Sequence, residues 1–257
     1  MKKFLGLILI TFLTTLSVYS ADMRFIQVDS ALFNSKNIKS FENLINKINS
    51  EKNVKFVIFT GNNINSPNKN ELKIFLKKAN KLNAPYYIVL GQKDVNLKKN
   101  LGKTEYIKTV RKSNHTHFFI KSPNYIFNKN DIIFMVADGS KEVIPSSIGY
   151  YKEDVMLWLD ENLEKYQNKN VIIIQHYPII PPIQKETHYT YKADEYLQLL
   201  SKHKNVKAII AGHFNTNSEI LANGVLHITT QNAPKYRIID LLDYETANPT
   251  FWSTIKE

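Results

Sequence analysis

A chain of 257 residues with 43% apolar and 12% aromatic residues can bury a full core, which excludes a disordered or fibrous protein. The absence of cysteine excludes a disulfide framework, a thiolate metal site, a cysteine nucleophile and a lipidated cysteine. The formal charge of +11 comes mostly from lysines scattered among asparagine and isoleucine, so specific nucleic-acid recognition is not expected, while a polyanion or envelope surface is a partner such a charge allows.

The first element is a targeting segment. Lys2 and Lys3 precede an uncharged apolar run at 4–18, and Val18-Tyr19-Ser20 supplies the small or apolar residues a signal peptidase accepts. We read residues 1–20 as a signal peptide, cleaved before Ala21, and 21–257 as one exported domain, periplasmic or extracellular. The alternative is an uncleaved anchor at 4–18, the one case in which a membrane becomes a partner. That run is shorter than the roughly twenty residues a spanning helix takes.

Short β-type runs then alternate with helical patterns. RFIQV at 24–28 reads as a strand, and Ile38, Phe41, Leu44, Ile45 and Ile48 recur at helical spacing. VKFVIF at 54–59 is the next strand, followed by a helix carrying Leu72, Phe75, Leu76, Ala79 and Leu82; YYIVL at 86–90 closes a βαβαβ section. The strands are nearly continuous apolar runs, as in a sheet covered on both faces. HFFIK, NYIFN and DIIFMVA, between 117 and 137, read as antiparallel strands, the last two joined by a turn at Lys129-Asn130. A helix with Val155, Trp158, Leu159 and Leu163 on one side leads to VIIIQ at 171–175, a Pro-rich loop, a helix over 193–203 and VKAIIA at 206–211. The tail reads as all β, with an Asn223-Gly224 hairpin turn and strands at YRIIDLL and TFWSTI. No linker or repeat interrupts the pattern, so one mixed α/β domain with two sheets is expected.

Five apolar runs end in short polar or Gly-bearing turns. They are VDSALF with Asp29, TGNN with Asn62, LGQKD with Gln92, Lys93 and Asp94, IQHYP with His176, and AGHFN with His213 and Asn215. In open α/β sheets the carboxyl ends of strands converge on one crevice, so these residues are expected to share a site. The order of turns resembles the calcineurin-like metallophosphoesterases, whose pattern runs Asp-x-His, Gly-Asp, Gly-Asn-His-(Asp or Glu), a lone His after a strand, and Gly-His-x-His. The resemblance spans the mature chain, including the GYYKEDVMLWLDENL helix before His176 and the β-rich tail. It implies a four-layer αββα fold: two mixed β-sheets packed as a sandwich and flanked by helices.

The resemblance also implies a metal-dependent phosphoester hydrolase, with family metal-ligand positions falling at Asp29, Asn62, Gln92, His176, His213 and Asn215. Departures from the pattern are numerous. The first motif's His is Ala31, the bridging Asp is Asn62, the Asn ligand is Gln92, the motif His is Lys93, and the last His is Asn215. Two divalent ions need anionic ligands, and amide oxygens are weak donors for transition metals. A dinuclear centre is therefore not expected; one divalent ion (Zn, Mn or Fe) on His176, His213 and Asp29 is the alternative to none. Lys93 and Asp94 are the candidate catalytic residues, with Lys93 able to hold a phosphate as a point charge. His188, Tyr189 and Tyr191 follow in a loop that borders the cleft in relatives. The function expected is an exported pseudoenzyme acting as a binding or scaffolding module for a phosphate-bearing small molecule or a protein partner; residual single-metal phosphoester hydrolysis is the alternative.

Overall fold

The computed structural model describes residues 23–243 and 245–257, so the expected signal segment lies outside the described residues. Eleven strands and five α-helices follow in the order β1 (Met23–Val28), α1 (Ile38–Ser50), β2 (Val54–Phe59), α2 (Lys69–Ala79), β3 (Tyr86–Ile88), α3 (Lys103–Ser113), β4 (Tyr125–Lys129), β5 (Ile132–Val136), α4 (Glu153–Lys165), β6 (Val171–Ile174), α5 (Ala193–Ser201), β7 (Val206–Ala211), β8 (Ser218–Ala222), β9 (Val225–Thr229), β10 (Tyr236–Leu242) and β11 (Thr250–Lys256). One sheet has the order β11-β10-β1-β2-β3 and the other β4-β5-β6-β7-β9-β8. Strands β1, β2 and β3 are parallel neighbours, as are β5, β6, β7 and β9, while β10, β11, β4 and β8 join antiparallel. No helix among the described residues is long and apolar enough to cross a membrane.

The two sheets pack face to face through aromatic rings. Phe25 and Phe56 of the first sheet stack on each other at 4.8 Å and meet Phe134 of the second edge-on at 5.8 and 5.1 Å. Tyr87 lies flat on Phe127 at 3.7 Å, and Phe127 on Phe134 at 4.9 Å. This inter-sheet core is continuous with the apolar stripe of α1 (Phe41, Leu44, Ile45, Ile48) and that of α2 (Leu72, Phe75, Leu76). A second core covers the outer face of the second sheet with α4 and α5, through Leu159, Leu163, Tyr196 and Leu199 against Ile173 and Ile209. The layers are α-β-β-α, as expected where central strands such as β5 and β6 are buried along their whole length, while the edge strands β8 and β11 stay partly in solvent.

Two local expectations are corrected. HFFIK is not a strand. Residues His115–His117 form a 3₁₀ turn in which His117 and Ile120 are buried while Phe118 is 70% exposed, a spacing of three rather than two. The neighbouring α3, KTEYIKTVRKS, is mostly polar and turns a short face of Tyr106, Ile107 and Val110 into the core. The β4–β5 turn also lies one residue later than expected, at Asn130 and Asp131, both with positive φ (47° and 67°). The β8–β9 turn falls at Asn223-Gly224 as expected, with φ of 50° and 78°.

Candidate functional site

Parallel strands from both sheets end at the same edge of the sandwich, and the turns that follow them meet there. Gln27 ties the sheets together beneath this edge: it is fully buried, its amide donates to Ala211 O at 2.7 Å, and Thr230 Oγ1 donates to its oxygen at 2.7 Å. Just beyond it, Asp29 is also fully buried. Its Oδ2 accepts from Ser30 Oγ at 2.8 Å and the His213 backbone N–H at 3.1 Å; its Oδ1 accepts from Thr60 Oγ1 at 2.9 Å. Gly212 is required here, since a Cβ on it would stand 1.6 Å from Asp29 Oδ1.

His176, at the end of β6, donates from Nδ1 to Thr60 O at 2.6 Å, and its Nε2 meets the Gln92 carboxamide at 2.9 Å. Its Nδ1 lies 3.7 Å from Asp29 Oδ1. Burial pushes the imidazole down to about 4 and the Asp29 carboxyl up to about 7, so His176 is neutral at ordinary pH and cannot act as a strong ion-pair partner. Gly61, at φ 100°, lets the β2 turn pass close to this ring; a Cβ there would lie 2.5 Å from Nδ1. Asn62 follows with φ 52°, and its Oδ1 accepts the Lys93 backbone N–H at 3.0 Å.

The turn after β3 is organised by Asp94. This buried carboxylate accepts from Gly91 N (2.8 Å), Ile64 N (3.1 Å) and Asn63 Nδ2 (3.1 Å), while burial raises it to about 7. Asp94 therefore clasps two turns from the inside, and Lys93 beside it is half-buried. On the far side, His213 has φ 75° and donates from Nε2 to Ser147 O at 2.8 Å. Its Nδ1 is buried with no hydrogen-bond partner, and burial first, then His176 and His188, push its pKa far down. Asn215 is exposed, and its Oδ1 accepts the Asn232 N–H at 3.0 Å. His188 lies over His213 with ring centroids 4.9 Å apart, whereas Tyr189 and Tyr191 are exposed.

All five predicted turns thus meet, and Asp29, Asn62, Gln92, His176 and His213 are tied into one hydrogen-bonded cluster. Sequence reading missed five members: Gln27, Ser30, Thr60, Asn63 and Ser147. Thr60 and Asn63 flank the Gly-Asn that marked the second turn, but nothing local distinguishes Ser147 or Gln27.

The donor set does not fit a pair of divalent ions. Asp29 is the sole carboxylate among the family ligand positions, and both its oxygens are engaged inside the protein. Asn62, Gln92, His176 and Asn215 are likewise engaged by the turns around them. Among the described residues no group of three or more His, Asp or Glu could hold one metal ion. A hollow of about 190 Å³ lies beside Ser30, Ala31 and Leu32 of the first turn. Larger grooves lie along α2 and α3.

Known proteins agree with this arrangement of turns. The family model Calcineurin-like phosphoesterase matches residues 26–216, a span holding every turn described above. A probable glycerophosphodiester phosphodiesterase of Arcobacter nitrofigilis is 24% identical over 209 residues, which cover 79% of this chain and 72% of that protein. Among solved structures, the dimetal phosphatase from Danio rerio is similar at a TM-score of 0.65 and 14% identity, covering 90% of this chain and 99% of that one. GAP50, described as the anchor in the inner membrane complex of Plasmodium, is similar at a TM-score of 0.57 and 15% identity, covering 93% and 90%. At such identities the structural likeness establishes the fold, and the family model places the sequence: the chain belongs to the calcineurin-like phosphoesterase family.

Proposed function

We propose that this protein is a phosphoesterase-family pseudoenzyme: the fold and its convergent turns serve as an exported binding module, and dimetal hydrolysis has been given up. The observation that supports this reading is the closure of the ligand positions on one another, Asp29 by Ser30, Thr60 and His213, and His176 by Thr60 and Gln92. The family typically depends on divalent metals, and an ion here would have to break these buried hydrogen bonds with mostly neutral donors in return. Lys93, whose backbone N–H is held by Asn62, carries a cation in the third turn that a phosphate-bearing small molecule could use. GAP50 is a protein of this fold whose description is that of an anchor rather than a hydrolase, which supports a binding or scaffolding role. Export rests on residues 1–20 and predicts a mature N-terminus at Ala21 in an extracytoplasmic fraction.

The test is metal content of protein purified without chelator, together with turnover of a generic phosphodiester in added Mn²⁺. Substoichiometric metal and no turnover are expected; two metals per chain with turnover would overturn the reading. A second reading, residual hydrolysis with one divalent ion on His176, His213 and Asp29, is favoured by the unpartnered His213 Nδ1 and by the 3.7 Å approach of Asp29 to His176. It requires that Mn²⁺ or Zn²⁺ raise activity and that His176→Ala abolish it.

A further inference from the structure

Three surface hollows away from the strand-end turns form one continuous tract. A groove of about 570 Å³ runs between α2 and α3, lined by Lys73 and Lys77 from one helix and Lys108 and Lys112 from the other. Lys108 and Lys112 also line a second hollow of about 730 Å³, with Arg111, Phe118 and Lys121. Lys103 and Glu142 continue from that hollow into a third, of about 550 Å³, whose rim holds Val143 and Ile144. Each helix contributes its lysines at i, i+4 spacing, so they stand on one face.

Of the cations of this tract, Lys103 is paired with Asp138 at 2.6 Å, and Lys108 and Lys112 share the field of Glu105 with Lys69. Within 4 Å none of Lys73, Lys77, Lys108, Lys112 and Lys121 forms an ion pair among the described residues. Glu105, the one carboxylate in the first groove, is held by Lys69 at 2.5 Å. At two places the tract carries large apolar side chains in water. Phe118 is 70% exposed with the Arg111 guanidinium 5.5 Å from its ring centroid; Val143 and Ile144 are 60% and 73% exposed. Exposed apolar groups in monomers are ordinarily scattered singly. Phe118 lies in the basic part of the tract, whereas Val143 and Ile144 lie at its end, where Lys103, Lys141 and Lys152 are matched by Asp138, Glu142 and Asp154.

The pairing of apolar prongs with a lysine floor is the chemistry of an anionic bilayer surface. Cations near such a surface are drawn to it, and aromatic or aliphatic side chains enter the headgroup boundary while arginine stays at its level. A single-stranded nucleic acid would share the charge but calls for stacking rings along the groove. The α2–α3 groove has no ring in its lining, and the rings of the tract, Phe118 and Tyr150, stand apart in the other two hollows. We infer that this face of the protein, from the α2–α3 groove to the 143–144 loop, docks onto anionic lipid membranes, with Phe118 and Ile144 entering the interface.

The absence of cysteine makes the test site-specific. In the full chain, Ile144→Cys would be labelled with an environment-sensitive fluorophore and mixed with vesicles of phosphatidylcholine alone or with about one-third phosphatidylglycerol. A label at 144 reports on this face whether or not residues 4–18 also insert. Lys204→Cys is the control, because Lys204 lies in a hollow with Lys169 and Lys207 that presents no exposed large apolar residue. The expected result is a blue shift and roughly twofold brightening at 144 with anionic vesicles only, and none at 204. Lys108→Glu with Lys112→Glu should weaken the apparent vesicle affinity at least roughly tenfold, and Phe118→Ser should reduce the blue shift. The inference is overturned if the 144 label is silent, if it responds equally to neutral vesicles, if the 204 label responds equally, or if a single-stranded oligonucleotide alone changes it.

Discussion

At the scale of single residues, this protein is governed by close approaches between polar groups that lack water. Gly212 is the sharpest case, because the space a Cβ would take is filled by the Asp29 carboxylate. Gly212→Ala should cost about 3 kcal/mol in urea unfolding, since the clash is with a buried, triply hydrogen-bonded group that cannot swing aside. His227, buried on β9, illustrates a separate effect. Burial lowers its pKa to about 4, so the unfolded chain binds the extra proton between pH 6.5 and 4, and the neutral ring's contribution to stability is lost as pH falls through that window. His227→Gln lacks the titration. The wild type should therefore lose roughly 1 kcal/mol relative to the variant between pH 7 and pH 5, read from melting at each pH. The residues that mark the candidate site were legible one at a time, as polar side chains after apolar runs. Their mutual closure was not, because Asp29 and His213, or His176 and Gln92, are far apart in the chain.

At the scale of elements, the turn after β3 shows how a family feature has become a structural clasp. Asp94 holds the backbone N–H of Gly91 and of Ile64 and so fixes the third turn against the second. Asp94→Ala would strand two buried donors and should cost about 3 kcal/mol, whereas Asp94→Asn, which keeps one acceptor oxygen, should cost less than half as much. Equilibrium denaturation of the two variants side by side checks this. The helices α1, α2, α4 and α5 follow from apolar residues at helical spacing. The helix α3 was hidden because KTEYIKTVRKS is mostly charged and polar, with its buried Tyr106, Ile107 and Val110 few in number although spaced as one helical face. HFFIK misled for the related reason that two adjacent Phe raise strand propensity whether or not a partner strand is in reach. With β3 and β4 on separate sheets, the segment packs as a turn and leaves Phe118 in solvent.

At the scale of the molecule, the two sheets behave as one unit because aromatic contacts and the Gln27 bridge span them. Phe134 touches Phe25, Phe56 and Phe127, so Phe134→Ala should cost about 4 kcal/mol and lower the midpoint of a transition that stays single by both circular dichroism and fluorescence. What the sequence by itself determined was the succession of apolar strands, the five polar turns in family order, and the presence of Ala31, Asn62 and Asn215 where the family pattern has His, Asp and His. These are local facts of side-chain type and spacing, and periodicity preserves them in one dimension. Only the tertiary structure decided that the remaining donors close on one another, that Gln27 joins the sheets beneath them, and that lysines of α2 and α3 share a groove while Phe118 lines the next hollow with Lys108 and Lys112. Those outcomes depend on which distant segments are brought into contact, as when Gln27 reaches Ala211, 184 residues away. Such contacts are selected by packing of the whole core, and no local pattern records them.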